Sequence, residues 1–267
     1  MFHRTRAIAL ALLSGVMLAS VAHAQTPVAS YTFANSLAAA QASVAALTAI
    51  DPTNQSGYFT DTVFGQQRTV YATGGMTNAT ASQGGFSLGT SSLIPANNYS
   101  VEMVLSLSQR NNEWRRIIDV QNRVSDSGFY VSPGNQLNIY PVGGGGNVNP
   151  NTYYHVVLSV APNNINAYLN GQLAFSLTSD LMNINNANNP GRNLLFYLDD
   201  NAVSGEYSNA RTALVQLYDR ALSAGEVNSL STNPFANNTA VPESGAGVLL
   251  ALGAVLPIAI AVRRRRK

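Results

Sequence analysis

Short runs with a period of two dominate the middle of the chain. Val101, Met103, Leu105 and Leu107 alternate with Glu102, Val104 and Ser106, and Tyr154, Val156, Leu158 and Val160 alternate with His155, Val157 and Ser159. Such alternation predicts half-buried strands. Ile165, Ala167 and Leu169 lead into Asn170-Gly171, and Leu173, Phe175 and Leu177 follow. Asn-Gly suits a type I′ turn, whose twist matches its flanking strands, so this stretch predicts a hairpin. Leu194, Phe196 and Leu198, and later Ala213, Val215 and Leu217, add two more strands. Pairs such as Asn97-Asn98, Asn163-Asn164 and Asn188-Asn189 punctuate the chain as turns, because Asn tolerates left-handed backbone angles.

Two segments have helical spacing. Leu37, Ala40, Val44 and Leu47 lie in an Ala-rich stretch ending at Asp51-Pro52, and Ser223 to Leu230 offers Ser223 as a cap with Glu226 three residues on. Gly143 to Gly146 follow Tyr140-Pro141 and are expected to form a flexible loop. No Lys-Ser/Thr pair follows them, which argues against a phosphate loop. Many short strands with few helices predict an all-β antiparallel sandwich carrying one or two short helices.

The two ends have a different texture. Residues 1–24 read as a signal peptide: Arg4 and Arg6, an apolar run from Ala7 to Ala19, then Ala22-His23-Ala24 as a small-x-small cleavage site. Cleavage by signal peptidase after Ala24 would leave Gln25 first. A sandwich domain is expected over 25–235, then a short linker, 236–240, and a distinct tail, 241–267. The tail places Val241-Pro242-Glu243 before an apolar span, 244–262, and a basic cluster, 263–267. At 1.5 Å rise per residue that span reaches about 28 Å, enough for one transmembrane helix. The Arg cluster would stay cytoplasmic, leaving the body outside.

Removing these ends reverses the charge. The chain carries 15 basic and 13 acidic residues; residues 25–240 keep 8 and 12 of them, near −4, and contain no Lys. No clustered basic footprint remains, so nucleic acid is set aside as a partner. There is no Cys, which rules out disulfides and thiolate metal sites.

Four stretches carry a family resemblance: "YTFANSLAAA", "WRRIIDVQN", "NTYYHVVLSVAPNNINAYLNGQLAF" and "ALVQLYDRALSAGEV". From Val28 to Leu230 the chain resembles the laminin-G-like, concanavalin A-like jelly rolls of bacterial surface proteins. The resemblance implies two antiparallel sheets and a body that is a lectin, a hydrolase or a structural spacer. The tail resembles the PEP-CTERM sorting signal of Gram-negative bacteria, with Ser244 where that family has a second Pro. This implies transient residence in the inner membrane, processing by an exosortase-type protease, and a final place at the cell surface or outside. A retained single-span anchor is the other reading of the same tail.

Candidate chemistry is sparse. Glucanases of this fold carry Glu-x-Asp-x-x-Glu, which the chain lacks, and no Gly-x-Ser-x-Gly elbow accompanies His155. A non-catalytic module is therefore expected, with His155 as a structural residue. Such jelly rolls often hold Ca²⁺ at a loop rim, and Asp199, Asp200, Asn201 and Glu206 are the oxygen donors expected there; the alternative is a solvated acidic turn. Trp114, Arg116, Tyr140 and Tyr153 are candidates for a polysaccharide or glycan surface, although the apolar run after Trp114 favours it as a core or rim residue. Strict alternation would put Trp114, Arg116, Ile118 and Val120 on one face and pair Arg115 with Asp119 on the other. A structural or adhesive protein-binding module is the rival to glycan binding.

Overall fold

A computed structural model describes residues 25–75, 78–109 and 112–236. The expected signal peptide and sorting tail, with Ala22, Ala24, Val241, Pro242 and Glu243, lie outside these residues. Among the described residues no helix is long and apolar enough to cross a membrane.

Among the described residues, fifteen strands form two layers. The first five are β1 (Ala29–Tyr31), β2 (Thr48–Ile50), β3 (Gly57–Val63), β4 (Gln66–Ala72) and β5 (Gly85–Gly89). Next come β6 (Tyr99–Leu107), β7 (Arg115–Asp119), β8 (Gly128–Val131), β9 (Gln136–Tyr140) and β10 (Gly143–Asn147). The last are β11 (Tyr154–Ala161), β12 (Asn164–Leu169), β13 (Gln172–Leu177), β14 (Asn193–Phe196) and β15 (Ala210–Tyr218), followed by one helix, α1 (Ala224–Thr232). The first sheet runs β13-β12-β11-β6-β15-β4-β3, with β1 also on β15; the second runs β10-β9-β8-β7-β14-β5-β2. Every pairing is antiparallel. This is the expected all-β sandwich.

The core lies between the sheets. Val101, Met103, Leu105 and Leu107 of β6 meet Phe86, Ile118, Phe129 and Phe196 from the facing sheet, all essentially without solvent contact. Burying each such side chain stabilises the fold by roughly 1.5–3 kcal/mol. The hairpin turn has Asn170 and Gly171 both at positive φ, 50° and 82°, as a type I′ turn requires.

The outer face of the first sheet is covered as well. Val157, Tyr168 and Tyr218 pack against Leu222, Val227 and Leu230 of the α1 region. Phe235 packs beside Val63, Val70, Val104 and Leu214. All nine residues of β6 are therefore buried, including Glu102. The α1 start is a capping box: Ser223 accepts from the Glu226 N–H, and the Glu226 carboxylate accepts from the Ser223 N–H. Caps of this kind stabilise by about 1 kcal/mol.

Three expectations are corrected. The Ala-rich stretch is not a helix. Ala40 N–H donates to Ser30 O at 2.8 Å, and the Gln41 side chain bonds Ser30 N and Pro27 O, tying an irregular segment to β1. Leu47 still reaches the core, so tertiary contacts override Ala propensity. The Gly143–Gly146 run is no free loop but the edge strand β10, paired to β9. A Cβ on Gly144 would lie 1.9 Å from Leu137 O, so only glycine permits this approach. Finally, β15 carries a bulge between Thr212 and Leu214. Val215 and Leu217 face the main core while Ala213 joins the outer cluster, breaking the single face that alternation implies.

Candidate functional site

A second bulge shapes the most highly charged part of the molecule. Arg116 pairs with Tyr130, yet Ile118 pairs with Phe129, so one extra residue is inserted in β7. Ile117 and Ile118 both enter the core, and Trp114 and Arg116 are left on the outer face of the second sheet with Tyr130 and Tyr140. The bulge also changes the ion pairing. Arg116, not Arg115, lies 3.5 Å from Asp119, and Arg115 instead bonds Ser108 O and the Asn135 side chain.

Three rings form an aromatic group. Trp114 stands edge-on to Tyr130 and Tyr140, with centroids 5.7 and 5.1 Å away, and Tyr130 and Tyr140 are 6.3 Å apart. Trp114 and Tyr140 are half-buried and Tyr130 is fully buried. The Arg116 guanidinium sits 4.5 Å over the Tyr130 ring and donates to its hydroxyl.

Arg116 is completely buried, and acids surround it. It donates to Asp200 Oδ2, and Asp126 and Glu206 lie 3.8 and 4.0 Å away. Asp200 Oδ1 accepts from Ala202 and Val203 N–H, at 2.6 and 2.8 Å. Tyr130 OH donates to Asp126 O at 3.0 Å. Burial pushes the Glu206 carboxyl up to about 8, a shift reinforced by its hydrogen bond to Asp126 and Asp126's charge and opposed by Arg116. A neighbouring carboxylate disfavours the charged form of Glu206, which is why Asp126 adds to the effect of burial. Burial also raises Asp119 and Asp199, against the pull of Arg116 and of backbone N–H groups.

The expected metal ligands separate. Asp199 is committed to the backbone, accepting from Asp200, Gly205 and Glu206 N–H at 2.9, 2.7 and 2.9 Å. Asn201 is exposed. Asp200 and Glu206 instead join Asp126, with one oxygen from each within 4.8 Å of the others. Ca²⁺ binds oxygens at 2.3–2.6 Å, so three donors at that spacing can share one ion. Glu206 Oε2 is buried without a hydrogen-bond partner, so its lone pairs are free for a cation. Arg116 already supplies one positive charge there, so the group suits a hard cation that competes with a proton. Asp126 was hidden in the sequence inside an ordinary Ser-Asp-Ser-Gly turn; only the β7–β8 pairing reveals its place beside Arg116.

Tyr153 does not join this group. Its hydroxyl donates to Asp61 Oδ2 at 2.9 Å, within the outer cluster of the first sheet. His155 is buried, with Nε2 2.8 Å from Glu102 Oε1.

Two packed antiparallel sheets define a sandwich class that includes both binding modules and enzymes. The chain belongs to the laminin G family described as the concanavalin A-like lectin/glucanases superfamily, whose model matches residues 79–228. No curated protein matches it. It is similar to domain 4 of the extracellular GH43 arabinanase of Geobacillus stearothermophilus, solved with arabinotriose. That likeness has a TM-score of 0.57 and 18% identity, over 77% of this chain and 98% of that domain. It is also similar to botulinum neurotoxin type C, whose cell entry depends on two ganglioside molecules, with a TM-score of 0.53 and 13% identity. There the match covers 78% of this chain and 51% of the toxin chain. At these identities the likeness concerns the fold alone.

Proposed function

We propose that the body is a non-catalytic glycan-binding module whose binding face is the outer surface of β7–β9. The observation that carries this reading is the Trp114–Tyr130–Tyr140 ring group held beside a buried Arg116 and three carboxylates. Aromatic edges and faces cover the apolar side of a sugar, and the adjacent charged groups fix its hydroxyls. Support comes from the arabinanase domain solved with arabinotriose, which shares the fold. Ca²⁺ held by Asp126, Asp200 and Glu206 would stiffen the rim beside the rings.

The full chain should be retained on the producing cell's own polysaccharide and released by free sugar. Trp114→Ala should weaken binding at least tenfold, about 1.4 kcal/mol, with the unfolding midpoint nearly unchanged. Undiminished binding by that variant would move the site elsewhere. Absence of any sugar binding would favour the adhesive reading. The Asp126–Glu206 pair also suits acid–base work, so release of reducing ends during the assay would replace the binding reading with a hydrolase.

We also propose an export route, on the leader-like pattern of residues 1–24 and the resemblance of residues 241–267 to a sorting signal. Signal peptidase removes residues 1–24, the tail passes through the inner membrane, and an exosortase-type protease releases the body to the cell surface. N-terminal sequencing of the exported protein should read Gln25 first; a start at Met1 would sink the leader assignment.

A further inference from the structure

On the opposite sheet, a cavity of about 550 Å³ opens between the β3–β4 turn, the β12–β13 turn and the segment after α1. At its base lies His155, 2% exposed. Its Nε2 faces Glu102 Oε1 at 2.8 Å, while Glu102 Oε2 accepts from Tyr218 OH at 2.5 Å. A carboxylate at that place fixes the proton on Nε2. Nδ1, on the other side of the ring, is buried with no partner. Arg68 lines the same cavity. Its Nη2 donates to Gln66 Oε1 at 2.9 Å and its guanidinium lies 3.6 Å over the Phe235 ring, but its Nε is also buried without a partner. Two polar groups left unpaired by the protein in one cavity are costly unless water or a ligand meets them, and a ligand that pairs with both gains from doing so.

The rim adds a third observation. Phe64, also lining the cavity, is 47% exposed and held at φ 49° in the Phe64-Gly65 turn. A bulky aromatic residue is poorly suited to positive φ, where Asn or Gly would serve the turn better. Its place is explained if the ring covers something in the cavity.

We propose that this cavity binds a carboxylate bearing a neighbouring hydroxyl, as in a uronate sugar or a free hydroxy acid. The carboxylate accepts from the Arg68 Nε–H and is attracted by its charge. The hydroxyl donates to His155 Nδ1. Phe64 closes over the apolar face of the ligand. The volume lies within the range of small-molecule sites. This assignment stands on its own residues and does not require the ring group on the other sheet.

The test is calorimetric titration of the full chain with glucuronate, glucose, lactate and acetate, with the imidazole ¹⁵N resonances followed in parallel. His155 is identified there by its absence in His155→Gln. Glucuronate should bind at least tenfold more tightly than glucose or acetate and move the His155 Nδ1 resonance. Lactate binding as tightly as glucuronate would assign the site to free hydroxy acids; weaker lactate binding would assign it to uronate. Arg68→Gln should lose at least tenfold. Phe64→Asn should unfold at higher denaturant yet bind more weakly, a combination that a purely structural role would not give. Glucuronate no tighter than glucose, or bound with His155 unmoved, overturns the proposal. Glucuronate binding lost in Trp114→Ala but kept in Arg68→Gln would overturn it while leaving the glycan reading intact.

Discussion

Replacing Arg116 with Met should lower the unfolding free energy by about 3–5 kcal/mol near pH 8, the cost of stripping the cation from a buried charge group. Arg116 has no solvent contact, and Asp119, Asp126, Asp200 and Glu206 all lie within 4.0 Å of it. Met matches much of the volume, so the loss is electrostatic more than steric. The uncompensated carboxyls would then take up protons on folding, and stability that depends on bound protons grows as pH falls. The deficit should therefore shrink between pH 8 and pH 5. Arg116→Lys should recover only part of it, because the ammonium cannot reach Asp200, the Tyr130 hydroxyl and Ser125 O together as the planar fork does. Urea unfolding of the three proteins at both pH values checks this. A Met variant as stable as the parent at pH 8 would show that these carboxyls do not depend on Arg116 for their burial.

Much of this architecture was legible in the alternating pattern, because one face of each strand must be apolar. The β6, β11, β12 and β13 runs and the Asn170-Gly171 turn all have that origin. What the pattern hides is any added residue. The bulge in β7 carries no sequence mark, yet it moves the partner of Asp119 from Arg115 to Arg116 and gathers the charged group on one face. The bulge in β15 hides in the same way behind Ala213. The Ala-rich stretch misleads for another reason. Its helical spacing is real, but its hydrogen bonds go to Ser30 and Pro27, which local propensity cannot anticipate. Trp114, Arg116 and Tyr140 were recognisable as residue types and do meet. Tyr153 was equally eligible by type and lies on the other sheet, because strand order in space is not written in any single strand.

Raising the pH from 5 to 9 in the presence of chelator should destabilise the protein, and Ca²⁺ should reverse the loss. Glu206 is pushed up to about 8, well above the ordinary carboxylate range, so the folded state holds a proton that the unfolded state has released. Its contribution is complete below about 4.5 and disappears as pH climbs through 8, at no more than about 1.4 kcal/mol per pH unit for one group. The neighbouring Asp126 charge and hydrogen bond reinforce that rise, so the loss depends on Asp126 staying in place. A cation held by Asp126, Asp200 and Glu206 takes the proton's place, so its affinity should rise with pH and its binding near pH 7 should release up to about one proton. Glu206→Gln keeps the neutral shape of the protonated acid. It should flatten the stability profile between pH 5 and 9 and abolish the Ca²⁺ effect together. Urea midpoints at three pH values, with Ca²⁺ or chelator, give both readouts in one series. A flat parental profile would refute the proton retained on Glu206. A steep profile indifferent to Ca²⁺ would leave the proton in place and remove the metal, making Arg116 the only cation these carboxylates hold.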